Sequence, residues 1–161
     1  MNGRMQDKVV VITGGASGIG EGMVRRFCAE GARVVLADVD EVAGLAVSRE
    51  CGARFAALDV SSEADWQALA HTVRSEYGRL DALLNNAGIV SNQSIVDADV
   101  ATWNRLLAVN LTGMMLGCQT AIALMRDNPE ASGGAIVNTA SSTSYLAIPS
   151  DVAYTTSKAG V

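Results

Sequence analysis

Short β-branched runs alternate along the chain with longer stretches whose apolar residues recur at helical spacing. Val9, Val10, Val11 and Ile12 form an uninterrupted apolar run ending at Thr13 and a glycine cluster, the pattern of a strand buried on both faces. Ile19, Met23 and Phe27 then recur at i, i+4 and i+8 with Val24 and Cys28 beside them, and Gly31 stops the pattern where a helix-ending glycine belongs. A second strand, Val34 to Ala37, ends at Asp38 and leads to a weaker helical stretch up to Cys51; a third runs from Arg54 to Leu58 and ends at Asp59. Ser62 is placed to cap a helix that carries Trp66, Leu69, Val73 and Tyr77 on one face before Gly78. Ala82 to Leu84 predict a fourth strand running into Asn85-Asn86-Ala87-Gly88. A long helix follows with Leu107, Leu111, Met114, Cys118, Ile122 and Met125, closed by Pro129; Ala135 to Asn138 predict a fifth strand, and Ala153 to Val161 a last helix.

Strands alternating with helices through short connections imply right-handed crossovers and an α/β doubly wound parallel sheet. With 161 residues and no linker or repeat, the expectation is a single domain over 1–161. Hydrophobic residues at 49% against 18% charged exclude intrinsic disorder, and only 4% aromatic residues make the core aliphatic. A net charge of -5, with no Lys or Arg stripe, argues against nucleic acid as a partner. Cys28, Cys51 and Cys118 stand far apart without C-x-x-C, so neither a disulfide framework nor a metal site is expected, and His71 reads as solvated. The polar N-terminus and the lack of any apolar run near ~18 residues lead to the expectation of no membrane partner and a cytoplasmic setting.

In such sheets ligands sit at the carboxyl ends of the strands, and the informative residues do follow the strands. Thr13-Gly14-Gly15-Ala16-Ser17-Gly18-Ile19-Gly20 joins the first strand to its helix, so backbone N–H groups and the positive end of the helix can meet a diphosphate. Glu21 stands where a nucleoside-triphosphate loop needs Lys, and Gly18 comes one residue too early for an esterase elbow around Ser17. The plainer alternative is a tight strand-to-helix turn. Asp38, a little over twenty residues past Gly14, can accept from both ribose hydroxyls of an adenosine; its charge, with no neighbouring Arg or Lys, favours NAD over NADP. Alternatively it caps the next helix.

Tyr154-Thr155-Thr156-Ser157-Lys158 sets a phenol and an ammonium at i and i+4 on one helix face. A phenol of ordinary pKa ~10 acts as a base near neutrality only if lowered by roughly three, about 4 kcal/mol of preference for phenolate, and nearby positive charge can supply that. The glycine loop, Asn85-Asn86-Ala87-Gly88, Asn110, Ser141 and this pair occur in an order that resembles the short-chain dehydrogenase/reductase family, in its shorter type, from Lys8 to Val161. The resemblance implies a Rossmann-like fold and an NAD-dependent oxidoreductase acting on a secondary alcohol or ketone. It implies Tyr154 as acid/base, Lys158 as the residue that lowers its pKa and binds the nicotinamide ribose, Ser141 as the holder of the substrate oxygen, and Asn110 as the holder of a relay water. It implies Gly14, Ser17, Gly18, Ile19 and Gly20 at the diphosphate, Asp59 and Val60 beside the adenine, and Asn86, Ala87 and Gly88 on the adenosine side.

Asn138-Thr139-Ala140-Ser141 resembles the family's strand-end pattern and stands at the family's usual distance before Tyr154, so the resemblance implies Ser141 rather than Ser142. Asn110 could instead satisfy buried backbone groups, and Asn85-Asn86 is as readily structural as ligand-contacting. Ser144 and Ala147 stand where the family often has glycine, and the chain ends three residues after Lys158, whereas family members run on through two further strands and a substrate lid. The expectation is therefore a chain lacking the last strands of the family fold. It would show no turnover by itself, and a full-length parent would be a homo-oligomer. The rival reading is a non-catalytic nucleotide-binding fragment.

Overall fold

The computed structural model describes residues 3–129 and 132–161. Five parallel strands, β1 (Val9–Thr13), β2 (Arg33–Asp38), β3 (Arg54–Ala57), β4 (Ala82–Asn85) and β5 (Ala135–Asn138), lie in the order β3-β2-β1-β4-β5. The helices between them are α1 (Gly18–Ala29), α2 (Glu41–Cys51), α3 (Glu63–Tyr77), α4 (Val100–Leu107) and α5 (Gly113–Arg126), with α6 (Val152–Ala159) last. This is the Rossmann-like doubly wound sheet.

Its two faces explain the unbroken apolar runs. Val9 and Val11 of β1 join a core with Trp66, Leu69, Val73, Leu116 and Leu124 from α3 and α5, while Val10 and Ile12 join Val24, Val47 and Phe55 on the other side. Successive side chains alternate across a strand, so a strand covered on both faces must be apolar at every position. The strand order reverses between β1 and β4. There the register aligns Ile12 with Leu36 and Leu84, which brings Thr13, Asp38 and Asn85 together at the carboxyl ends of the strands.

Several boundaries and faces differ from those the sequence predicts. Strand β3 stops at Ala57, with Leu58 buried just beyond it. Ile19 is 72% exposed and Ile122 52% exposed, so neither belongs to the buried face that their spacing suggested. The core side of α1 is built on Gly20 and Val24, with Met23, Phe27 and Cys28 packed against the same core. The long helix begins at Val100, well before Leu107, and runs 27 residues to Arg126. Polar interruptions hide it from a search for consecutive apolar residues, yet by length and composition it is apolar enough to cross a membrane. Leu106, Met114, Leu116, Ala121, Leu124 and Met125 are the buried side of this run, which accounts for its apolar character within the fold. Strand β5 forms one edge of the sheet, and Val137 is 52% exposed.

Candidate active site

A cavity of about 390 Å³ opens at the reversal of strand order, lined by the glycine loop, Asp38, Leu58, Asp59, Val60, Asn86, Ala87, Gly88 and, from the long helix, Arg105 and Val109. It thus gathers every residue proposed from the sequence for the cofactor except Tyr154 and Lys158. Two glycines show why this loop must be glycine. A Cβ on Gly20 would lie 1.9 Å from the Gly14 carbonyl oxygen, so helix α1 could not approach the strand end. Gly18 has φ +55°, and no protein atom lies within 4 Å of where its Cβ would stand on the cavity wall. Ser17 is the N-cap of α1 yet spends no side-chain hydrogen bond on it, leaving the helix N-terminus beside the cavity.

Asp38 is half-buried on the same wall. Its Oδ2 accepts from the Ala16 N–H at 2.9 Å and its Oδ1 from the Asp40 N–H at 3.0 Å, tying the glycine loop to the end of β2. Each oxygen keeps further acceptor capacity. The cap of α2 is Asp40, which accepts from the Ala43 N–H at 2.9 Å, so the plainer reading of Asp38 as that cap does not describe the structure. Asp59 accepts from the Ser61 hydroxyl and N–H at 2.6 and 2.9 Å, and these bonds hold its carboxyl below the ordinary range. Val60 is buried beside it, its carbonyl accepting from the Trp66 indole N–H at 2.8 Å.

Asn85, the last residue of β4, and Asn86, which follows it, both make hydrogen bonds within the fold. Asn85 is buried and donates to the Asn138 side chain at 3.0 Å, bridging β4 and β5; Asn86 donates to the Thr13 carbonyl at 3.1 Å, holding the glycine loop. Thr13 was not singled out by the sequence. Its hydroxyl accepts from the N–H groups of Asn86 and Ala87 at 3.0 and 3.1 Å and so fixes how two strand ends meet. A strand-terminal Thr carries no pattern that would announce this.

Asn110 lies in a π-helical turn, Ala108–Thr112, that interrupts the long helix, and it is fully buried. Its Oδ1 accepts from the Ile89 N–H at 2.8 Å, while its Nδ2 donates to the Ile89 carbonyl at 2.9 Å and the Ser157 hydroxyl at 3.1 Å. The π turn, common at functional sites, aims this side chain between the loop after β4 and helix α6. The same helix carries Tyr154 and Lys158. The Lys158 ammonium lies 5.9 Å from the Tyr154 ring centre and donates to the Thr139 carbonyl at 2.6 Å, just past β5. Lys158 is buried, and that burial pushes its pKa down. A Cβ on Gly88 would lie 3.4 Å from Asn110 Oδ1 and 3.7 Å from Lys158 Nζ, so the ammonium stands at the end of the cavity wall.

Tyr154 is half-buried, and among the described residues none hydrogen-bonds its hydroxyl. Ser141 is half-buried at the start of a short turn, Ser142–Ser144, with its Oγ accepting from the Thr143 N–H at 3.2 Å; Ser142 is exposed. The Ser144 hydroxyl donates to the Lys158 carbonyl, which fastens this turn to the end of α6 in a way glycine could not. Asp151, also missed from sequence, is buried and caps α6 by accepting from the Tyr154 N–H at 3.1 Å. Burial pushes its carboxyl up, but donors from Ser91, Asn92 and Tyr154 outweigh this and hold it below the ordinary range. An Asp immediately before the first residue of a helix is a start signal that could have found it.

The family model described as short chain dehydrogenase matches residues 8–161. The chain belongs to that family. It is 40% identical over its whole length to a 3-beta-hydroxysteroid dehydrogenase of Comamonas testosteroni, covering 63% of that protein. It is 41% identical over 88% of its length to a 3-alpha-(or 20-beta)-hydroxysteroid dehydrogenase of Mycobacterium bovis, covering 54% of it. A D-threitol dehydrogenase of Mycolicibacterium smegmatis is 37% identical over 98% of the chain, with 62% of its own length covered. The chain therefore spans just over half to just under two thirds of these relatives. These relatives are named as dehydrogenases of hydroxysteroids and of D-threitol.

Proposed function

We propose that 1–161 form the cofactor-binding and catalytic-residue portion of an NAD-dependent oxidoreductase that interconverts a secondary alcohol and a ketone. The observation that carries this reading is the meeting of Lys158, Asn110 and Gly88 at the end of the glycine-lined cavity, with Tyr154 on the same helix face as Lys158. Only a ligand reaching from the Asp38 end to the Lys158 end would use both. A dinucleotide fits that demand, its diphosphate against the exposed start of α1 and its adenosine ribose against Asp38.

When bound, the nicotinamide ring would accept or donate the hydride. The protein's own residues supply the proton chemistry. Tyr154 takes the proton from the substrate hydroxyl in oxidation and returns it to the carbonyl oxygen in reduction. Lys158, kept at fixed distance by Thr139, favours the phenolate and donates to the nicotinamide ribose. Ser141, by turning its hydroxyl from the Thr143 N–H, holds the substrate oxygen near Tyr154. Asn110 sets the loop after β4 against α6, so that the phenol meets the cavity at one distance.

Calorimetric titration of the chain tests the reading: NAD(H) should bind more tightly than NADP(H), because Asp38 would face the 2′-phosphate. Equal or reversed affinities would refute the NAD assignment. Binding without turnover in any protein containing these residues would favour a non-catalytic nucleotide-binding role.

A further inference from the structure

Helix α6 has only eight residues, below the length at which a helix holds itself in water, so the placement of Tyr154 must come from tertiary contacts. Asn110, through Ile89 and Ser157, supplies one of them. Asp151 supplies another. Its Oδ2 accepts from the N–H groups of Ser91 and Asn92 at 2.8 and 2.9 Å, and its Oδ1 from the Ser91 hydroxyl at 2.5 Å as well as from the Tyr154 N–H at 3.1 Å. The residue is 2% exposed, and among the described residues no cation pairs with it. An ionised carboxylate in such a place is held there only by its donors, and three of the four come from outside α6. A helix cap alone needs one acceptor and no charge. The donor segment is strained to fit, with Asn92 at φ +53°, and the Val152 N–H donates to the Gln93 carbonyl at 3.2 Å alongside.

We propose that Asp151 is a positioning residue. It locks the loop after β4, whose Ala87, Gly88 and Ile89 line the cavity, to the first turn of the helix that carries Tyr154 and Lys158. The phenol and the cavity wall then move as one body. The consequence for catalysis rests on the function proposed above; the mechanical coupling does not.

Two variants separate a latch from a cap. Asp151→Ser keeps a good N-cap for the Tyr154 N–H but is too short and uncharged to gather Ser91 and Asn92. Asp151→Ala removes both roles. In the 161-residue chain labelled with fluorotyrosine, three tyrosines give three fluorine resonances. Both variants should shift or broaden the Tyr154 resonance and leave that of Tyr77 unchanged. Both should also speed amide exchange at Ser91 and Asn92 at least tenfold, with Val10 to Ile12 as protected as before. Wild-type spectra and protection in Asp151→Ser would overturn the proposal and leave Asp151 a cap. Should neither variant fold, Ser91→Ala decides. It removes one hydroxyl from a half-buried site, and it must move the Tyr154 resonance in the same direction or the latch is refuted. Addition of NADH to the wild-type chain is a separate arm. Failure to perturb Tyr154 there would count against the proposed function, while the comparison of variants without NADH still judges the coupling.

Discussion

Replacing Asn110 with alanine isolates the structural work of a residue that the family pattern reads as catalytic. The side chain is fully buried and makes three hydrogen bonds, two to the Ile89 backbone and one to the Ser157 hydroxyl. Each such bond contributes about 1 kcal/mol net, and an orphaned buried donor costs about 1–3 kcal/mol. The Ser157 hydroxyl keeps the Tyr154 carbonyl as its acceptor, so the Ile89 N–H is the main orphan. The space left is polar, and a water entering it would recover part of the loss. The balance is a destabilisation of about 3 kcal/mol, which for a domain of this size lowers Tm by roughly 6–12 °C. Urea unfolding should show a lower midpoint at unchanged slope. On the proposed function, NAD affinity should fall far less than stability, because Asp38 and the glycine loop keep their own hydrogen bonds. A loss below about 1 kcal/mol would show that the clamp on Ile89 is dispensable and that the role of Asn110 lies elsewhere.

Asp38→Ala should bring the affinities for NAD and NADP to within a few-fold of each other by removing charge from the ribose end; unchanged discrimination by calorimetry would place specificity in other residues. In an active protein containing this chain, Tyr154→Phe should lower turnover by orders of magnitude at nearly constant cofactor affinity, since only proton transfer loses its carrier. Ser141→Ala should impair steady-state turnover more than Ser142→Ala, and the reverse ranking would overturn the choice between them. Asp99 caps α4 by accepting from the Thr102 N–H at 2.8 Å, and that bond, together with Gln93, lowers its pKa to about 2. Its contribution is therefore present above the unfolded carboxyl value of ~3.9 and lost as pH falls through about 2. Asp99→Ala should accordingly destabilise near neutrality and not at the acid end, as followed by circular dichroism in urea.

The sequence by itself determined the architecture, because its strongest signals are local. Val9 to Ile12 can be apolar at every position only in a doubly covered strand, and the glycines from Gly14 to Gly20 can follow it only where backbone must turn and approach closely. Tyr154 and Lys158 share a face through helical spacing alone. What the tertiary structure decided are contacts between segments far apart in sequence. Ile19 has the spacing of a core residue, but Gly20 brings α1 so near the strand end that Ile19 turns to the cavity. Asn110 has no local pattern to mark it, and only the π turn beside α6 gives it Ile89 and Ser157 as partners. Thr13 and Asp151 act through backbone donors some 60 to 74 residues away in the chain, and hydrogen-bond donors on a backbone leave no trace in residue identity.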